Sequence, residues 1–258
     1  MSTGTSAAAL VGNARALSNL SQRQVALMAG ISASTVNRIE SSDLDPTFTV
    51  LERILRVCGY SVRTGVAAVA DETALRAGRA LLDPGAGIVP DSAAGEWIKR
   101  WAAIGLVGSD GRVRDADSLA FRAANVSRLA FREGSRRFEI PTGGWKAVAR
   151  SFRDNGVDWA LTGGYAASAY TNIANAVWPV FYVDSVEQAA KVAGLRTKTG
   201  AGIAVTLIPF DDVTRRGVVE TAGGVRLAAL WQIILDCYGG TGRMPEQASE
   251  LVSKVTTA

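Results

Sequence analysis

The chain contains no histidine. That excludes His-based triads, His general bases and His metal sites in one step. Cysteine is nearly absent as well: Cys58 and Cys237 are the two in 258 residues. They lie far apart, each in an apolar helical pattern, and read as core residues in a reducing compartment, not as a disulfide framework. No apolar run reaches the roughly 20 residues of a membrane span. The polar start MSTGTS is not that of a signal peptide. The expected location is the cytoplasm, with no membrane partner.

What is present is enough for two or three domains. Hydrophobic residues make up 48% and charged residues 20%, so sizeable cores can be buried. The net charge is +4 and the pI near 9.3, which suits contact with phosphate without requiring it. The charge is uneven. Residues 1–65 carry Arg15, Arg23, Arg38, Arg53, Arg56 and Arg63 against Glu40, Asp43, Asp45 and Glu52. Residues 122–137 add Arg122, Arg128, Arg132, Arg136 and Arg137 against Glu133 alone. The latter set reads as the solvated face of a helix whose apolar partners are Val126 and Leu129, with phosphate contact as the second reading. Arginine suits bidentate contacts to phosphate and guanine, but a GC-rich genome explains its excess over lysine equally well. The six tryptophans are spread through apolar patterns and read as core.

Residues 20–40, LSQRQVALMAGISASTVNRIE, carry the most functional information. Ser21 is placed to cap a helix starting at Gln22, and Gln24 at the third helical position completes a capping box. Gly30 supplies the positive φ that reverses the chain. Ser32 caps a second helix whose inner positions are Val36 and Ile39. Its outer positions Ala33, Ser34, Asn37 and Arg38 are small or hydrogen-bonding, so the backbone can approach base edges while Arg and Asn read guanine and adenine. Before this pair, Leu10, Ala14 and Leu17 share one face; within it, Val25 and Met28 lie on the first helix. After it, SSDLDP is a loop, and Leu51, Ile54, Leu55 and Cys58 form a further face ended by Gly59.

The stretch from about Asn13 to Val62 is similar to the Cro/CI (Xre-type) helix-turn-helix family. Leu20-Ser21-Gln22, Val25-Ala26, Gly30-Ile31-Ser32, Thr35-Val36, Arg38-Ile39-Glu40 and Pro46 carry the resemblance. It implies an all-α, five-helix domain reading double-stranded operator DNA. Gln22 then touches phosphate, Ala33, Ser34, Asn37 and Arg38 face the major groove, and Ser32 and Thr35 seat the helix on the backbone. Arg15 and Glu40 form a structural ion pair. The acidic loop at Asp43 and Asp45 departs from the Gly and Lys common in the family, and should weaken or redirect backbone contacts there.

Residues 61–71 read as a linker. From 72 to 130 the order is helix, helix, hairpin, helix, with the turn at Ser109-Asp110-Gly111 and Asp115 or Asp117 as a cap, the order of a winged helix. Its candidate reading helix holds bulky Trp97, Ile98, Trp101 and Ile104, so a degenerate winged helix serving as spacer is an equal reading. Arg112 and Arg114 on the wing can reach phosphate. From 137 to 258 strands and helices alternate, as in an α/β module. Within it, WALTGGYAASAY offers a strand and a Gly-Gly turn like those of nucleotidyltransferases. Those enzymes also need two carboxylates one residue apart on the next strand to hold two metal ions. VWPVFYVDS has only Asp184, which reads as a helix cap, and adjacent Asp211 and Asp212 point to opposite faces of an extended chain. No catalytic, cofactor or metal residues are therefore expected.

From about residue 140 onward the chain resembles the C-terminal domain of AbiEi-family regulators, the antitoxin type of type IV toxin-antitoxin systems. The agreement is closest at Leu161 to Ala169 and at Gly242-Arg243-Met244-Pro245-Glu246. An Xre-type head is unusual for that family. The resemblance implies autorepression beside a nucleotidyltransferase-like toxin that need not be touched. The expected whole is a multidomain α+β chain: a five-helix Xre-type domain at 1–65, a degenerate winged helix at 72–130, and an AbiEi-like α/β domain at 137–258 resembling a non-catalytic nucleotidyltransferase-like core. A phage repressor of the same architecture, and a DNA-targeted nucleotidyltransferase, are the competing readings. Dimers on half-sites about one helical turn apart are usual for such heads; a chain with two DNA-binding units can instead hold an asymmetric site as a monomer.

Overall fold

The computed structural model describes residues 6–60, 71–173, 178–199 and 204–257. The linker expected at 61–71 lies, but for its last residue, outside them. The chain divides into two compact units, Met1–Ala67 and Ala68–Ala258.

The first unit holds α1 (Ala7–Leu17), α2 (Gln22–Ala29), α3 (Ala33–Glu40) and α4 (Phe48–Val57), four helices among its described residues where five are expected. Each begins on a hydroxyl cap, Ser6, Ser21, Ser32 and Thr47 in turn, whose side chain accepts a backbone N–H three residues on. Val11, Ala14, Val25, Ala26, Val36, Ile39, Ile54, Leu55 and Cys58 form the core. Two details differ from the sequence pattern. The buried face of α1 is centred on Val11 and Ala14, leaving Leu10 and Leu17 exposed, and Met28 of α2 is also exposed. The reason is packing: α1 meets α3 and α4, and Val11 and Ala14 are its buried residues.

The second unit contains α5 (Glu72–Leu82), α6 (Ser92–Ala103), α7 (Ala116–Asn125), β1 (Arg136–Phe138), α8 (Gly144–Asp154), β2 (Trp159–Thr162), α9 (Gly163–Ala167), β3 (Val180–Val183), α10 (Val186–Val192), β4 (Val205–Pro209), β5 (Val219–Glu220), β6 (Arg226–Leu227), α11 (Leu230–Tyr238) and α12 (Met244–Thr257). The strands form one mixed sheet in the order β1-β4-β3-β2-β6-β5. β3 runs parallel to β4, and β2 parallel to β6; β2 with β3, β1 with β4, and β5 with β6 are antiparallel. Every residue of β2 and β3 is buried. Such strands read as continuous apolar runs because both sheet faces are covered.

The segments 72–130 and 137–258 share this core. α5 and α7 pack on α11, and Leu75, Leu119 and Ala123 belong to the same buried cluster as Phe181 and Leu207. At Gly78, a Cβ would stand 2.8 Å from that of Ala123, so glycine is what lets α5 and α7 meet. The expected wing is reduced to one bridge, Val107 with Val113, around the turn at 109–111. Asp115 caps α7, accepting from the Ser118 N–H at 2.9 Å. Two expectations are corrected. The helix ends at Asn125, so the arginines beyond it share no helical face, and Arg132 is buried, not solvated. The cap of α10 is Ser185, while Asp184 pairs with Arg215.

Candidate nucleic-acid interface

α2 and α3 meet at Gly30, whose φ of 64° lies in the left-handed region. Ser21 and Gln24 form the capping box at the head of α2: the Gln24 N–H reaches the Ser21 hydroxyl at 3.3 Å, and the Ser21 N–H reaches the Gln24 Oε1 at 2.8 Å. The turn is pinned from α4. Arg53 donates from Nε to the Ala29 carbonyl at 2.9 Å and from Nη2 to the Gly30 carbonyl at 2.9 Å. A cation on the last carbonyls of α2 also complements the negative end of its dipole.

On α3, Val36 and Ile39 are buried and Ser34, Asn37 and Arg38 are exposed. Ala33 and Thr35 are half-buried at the start of the helix, and Ser32 is exposed. The three hydroxyls cluster: Ser32 Oγ lies 2.8 Å from Ser34 Oγ and 2.7 Å from Thr35 Oγ1, and accepts the Thr35 N–H at 3.0 Å. The Arg38 guanidinium has no hydrogen bond or ion pair among the described residues. It stands as an unengaged cation beside small hydrogen-bonding side chains, the combination that base edges and phosphates take.

Gln22 is the first residue of α2, and its amide is engaged within the head. Its Nε2 donates to the Glu40 carboxylate at 2.7 Å and approaches Asn37 Oδ1 at 3.5 Å. Its amide therefore ties the head of α2 to α3. Glu40 is held in turn by Arg15, with Nε to Oε1 at 2.6 Å and Nη2 to Oε2 at 3.1 Å, the ion pair expected from the sequence. Burial pushes the Glu40 carboxyl up, but the hydrogen bonds from Arg15 and Gln22 outweigh it and hold it below its usual value. The hydrogen bond to Glu40 raises Arg15 correspondingly. Sequence reasoning passed over Arg23, exposed at the first turn of α2 with no partner among the described residues. Its position after the capping serine was the available signal. Asp43 accepts from the Ser41 hydroxyl at 2.6 Å just past α3.

Arg112 and Arg114 lie in the second unit, not with the other seven candidates. Both are exposed, and Arg114 is paired with Asp110 at 3.3 Å. The carboxylates weighed for catalysis have structural partners. Asp184 pairs with Arg215, Asp212 with Arg76, and Asp211 Oδ1 accepts from the Val213 and Thr214 N–H groups and from Thr214 Oγ1 in its own turn. Gly163 and Gly164 open α9, with Gly163 at φ 63° beside Met244.

Two helices joined at a left-handed glycine, the second capped by serine and exposing a polar face, define the head of a DNA-binding protein. Residues 12–64 match the family described as HTH_3, Helix-turn-helix, and the match points to an Xre-type DNA-binding transcriptional regulator. No curated protein and no solved structure matches the chain. No helix among the described residues is long and apolar enough to cross a membrane.

Proposed function

We infer that the chain is a sequence-specific repressor of its own operon, acting as the antitoxin of a type IV toxin-antitoxin pair. The observation that carries the DNA-reading part is the exposed set Ser34, Asn37 and unengaged Arg38 on α3. In this reading Arg38 and Asn37 contact base edges, with Ala33 and Ser34 allowing close approach. Ser32, Thr35 and Arg23 take phosphate at the helix heads, where free N–H groups and the positive dipole end favour anions. Gln22 contributes its backbone at the head of α2 and holds Asn37 in place. Where one chain holds an asymmetric site, Arg112 and Arg114 add phosphate contacts from the second unit.

The antitoxin part rests on the resemblance of the region from about 140 to AbiEi-family regulators, carried by WALTGGYAASAY and GRMPE. The partner of that reading is a nucleotidyltransferase-like toxin acted on without direct contact, and the chain itself catalyses nothing. Footprinting on the DNA upstream of the chain's own coding sequence tests the proposal. A protected operator is expected, and Arg38→Ala should weaken it by about 1–3 kcal/mol, the value of one bidentate base contact. Equal protection by the variant would show that α3 does not read bases. Two chains on an inverted repeat would make the regulator a dimer; one chain on an unbroken asymmetric footprint would bring Arg112 and Arg114 into use.

A further inference from the structure

A cavity of about 370 Å³ lies in the second unit between β1, β4 and the start of β3 on one side and residues 129–131 and the α11–α12 turn on the other. Its floor is apolar: Leu129, Val180 and Met244 line it and are buried. These three close over Gly163, where a Cβ would stand 3.0 Å from Met244 Cε, 3.6 Å from Leu129 Cδ2 and 3.8 Å from Val180 Cγ2. The Gly163-Gly164 turn thus leaves the room that the floor fills.

The sheet register sets the polar end. Arg137 of β1 pairs with Thr206 of β4, and Thr206 with Val180 of β3. Residues directly opposite on neighbouring strands share a face, so these three form one row. Outside β1, the Lys198 N–H bonds the Arg137 carbonyl at 2.9 Å, next to the bridge of Phe138 with Thr197. Lys198 therefore stands opposite Arg137 on that same face. Like charges so placed repel, and Lys198 has no ion pair among the described residues. No carboxylate is among the residues that line the cavity. One strand further in, about 4.8 Å from β1, Thr206 lines the cavity. It is 5% exposed, and its hydroxyl has no hydrogen-bond partner among the described residues. Buried hydroxyls ordinarily have one.

The walls are aromatic. Trp178 and Phe131 both line the cavity and make no ring contact with each other. Phe131 is 55% exposed, apolar surface left bare at the mouth. The Arg137 guanidinium lies over the Trp178 ring, 5.8 Å from its centre, so positive charge stands at the rim of the aromatic wall. A neutral apolar molecule leaves the cations and the Thr206 hydroxyl unanswered. An inorganic anion leaves the rings and the floor uncovered. A ligand that answers both joins a flat apolar body to one negative end.

We propose that this cavity binds a small aromatic carboxylic acid as its anion, with its ring between Trp178 and Phe131 over Val180 and Met244, and its carboxylate toward Arg137, Lys198 and the Thr206 hydroxyl. Calorimetric titration of the full chain with benzoate, phenylacetate and cinnamate tests it. At least one should bind at one site per chain. The neutral amide of the tightest should bind about tenfold more weakly or worse, since it loses the charge-assisted contact. Acetate, which keeps the charge without the ring, should show no binding at the same concentrations. Arg137 packs on Trp178, so its neighbours carry the mutational test. The Lys198→Gln, Phe131→Ala double variant should lose about tenfold or more in affinity with its thermal unfolding unchanged. No binding by any of the three acids, equal binding by the amide or by acetate, or full affinity in a folded double variant would each overturn the assignment.

Discussion

Glu40 is the residue on which the DNA-reading head is fastened. It joins three helices: its own α3, α1 through Arg15 and α2 through Gln22. Its side chain is 13% exposed and that of Arg15 27%, so the pair is shielded more than a surface ion pair. Glu40→Gln keeps the shape and removes the charge, and should cost about 1 kcal/mol of first-unit stability at neutral pH. The carboxyl is held below its ordinary value in the folded state, so its contribution is present above the ordinary glutamate range and is lost as pH falls through the lowered value. The variant should therefore flatten the acid limb of the stability curve. Amide exchange across α1–α4 as a function of pH measures this; an unchanged acid limb would mean that the pair contributes nothing net.

At the scale of the element, the turn between α2 and α3 depends on one glycine and one arginine. A side chain at Gly30 meets two obstacles, the left-handed φ of 64° and Arg53 Nη2, which a Cβ would approach at 3.2 Å. Gly30→Ala should destabilise the first unit by about 1 kcal/mol or more. Loss of helical signal at a lower temperature is the expected reading, with operator affinity falling in step. The glycine was legible in the sequence because left-handed turns leave few choices of residue, and the caps Ser21, Ser32 and Asp115 were legible for the same local reason. Arg53 was not, because its partners stand in another helix 23 or more residues away. Gln22 followed the same rule. The sequence places it at the head of α2, but which groups hold its amide depends on how α2 and α3 cross. The outward turn of Leu10, Leu17 and Met28 is likewise a packing outcome, since an apolar residue is free to lie on either side of a half-covered helix. In the second unit β2 and β3 were legible as apolar runs, while β1, three residues starting with two arginines, carries no such run.

At the scale of the whole molecule, the least legible feature is the charge buried in the second unit. Arginine at 132 and aspartate at 236 each look like surface residues in a sequence, and 104 positions separate them. In the fold Asp236 is fully buried at 0% exposure, receiving Arg132 and the hydroxyls of Thr162 and Tyr182. Burial still pushes its carboxyl above the ordinary range, against the pull of Arg132. Breaking such a pair leaves a buried charge alone. Asp236→Ala should therefore cost about 3–5 kcal/mol, as should Arg132→Ala. Replacing both partners with apolar residues of similar size, Arg132→Met with Asp236→Leu, removes both buried charges and should cost far less than the two single losses together. All six tryptophans, at positions 97, 101, 145, 159, 178 and 231, lie in the second unit, so denaturant unfolding followed by their fluorescence reports on it alone. If the double replacement instead costs the sum of the two single ones, Arg132 and Asp236 act independently. The network around Tyr182 and Gln232, more than their mutual charge, would then hold the core of this unit together.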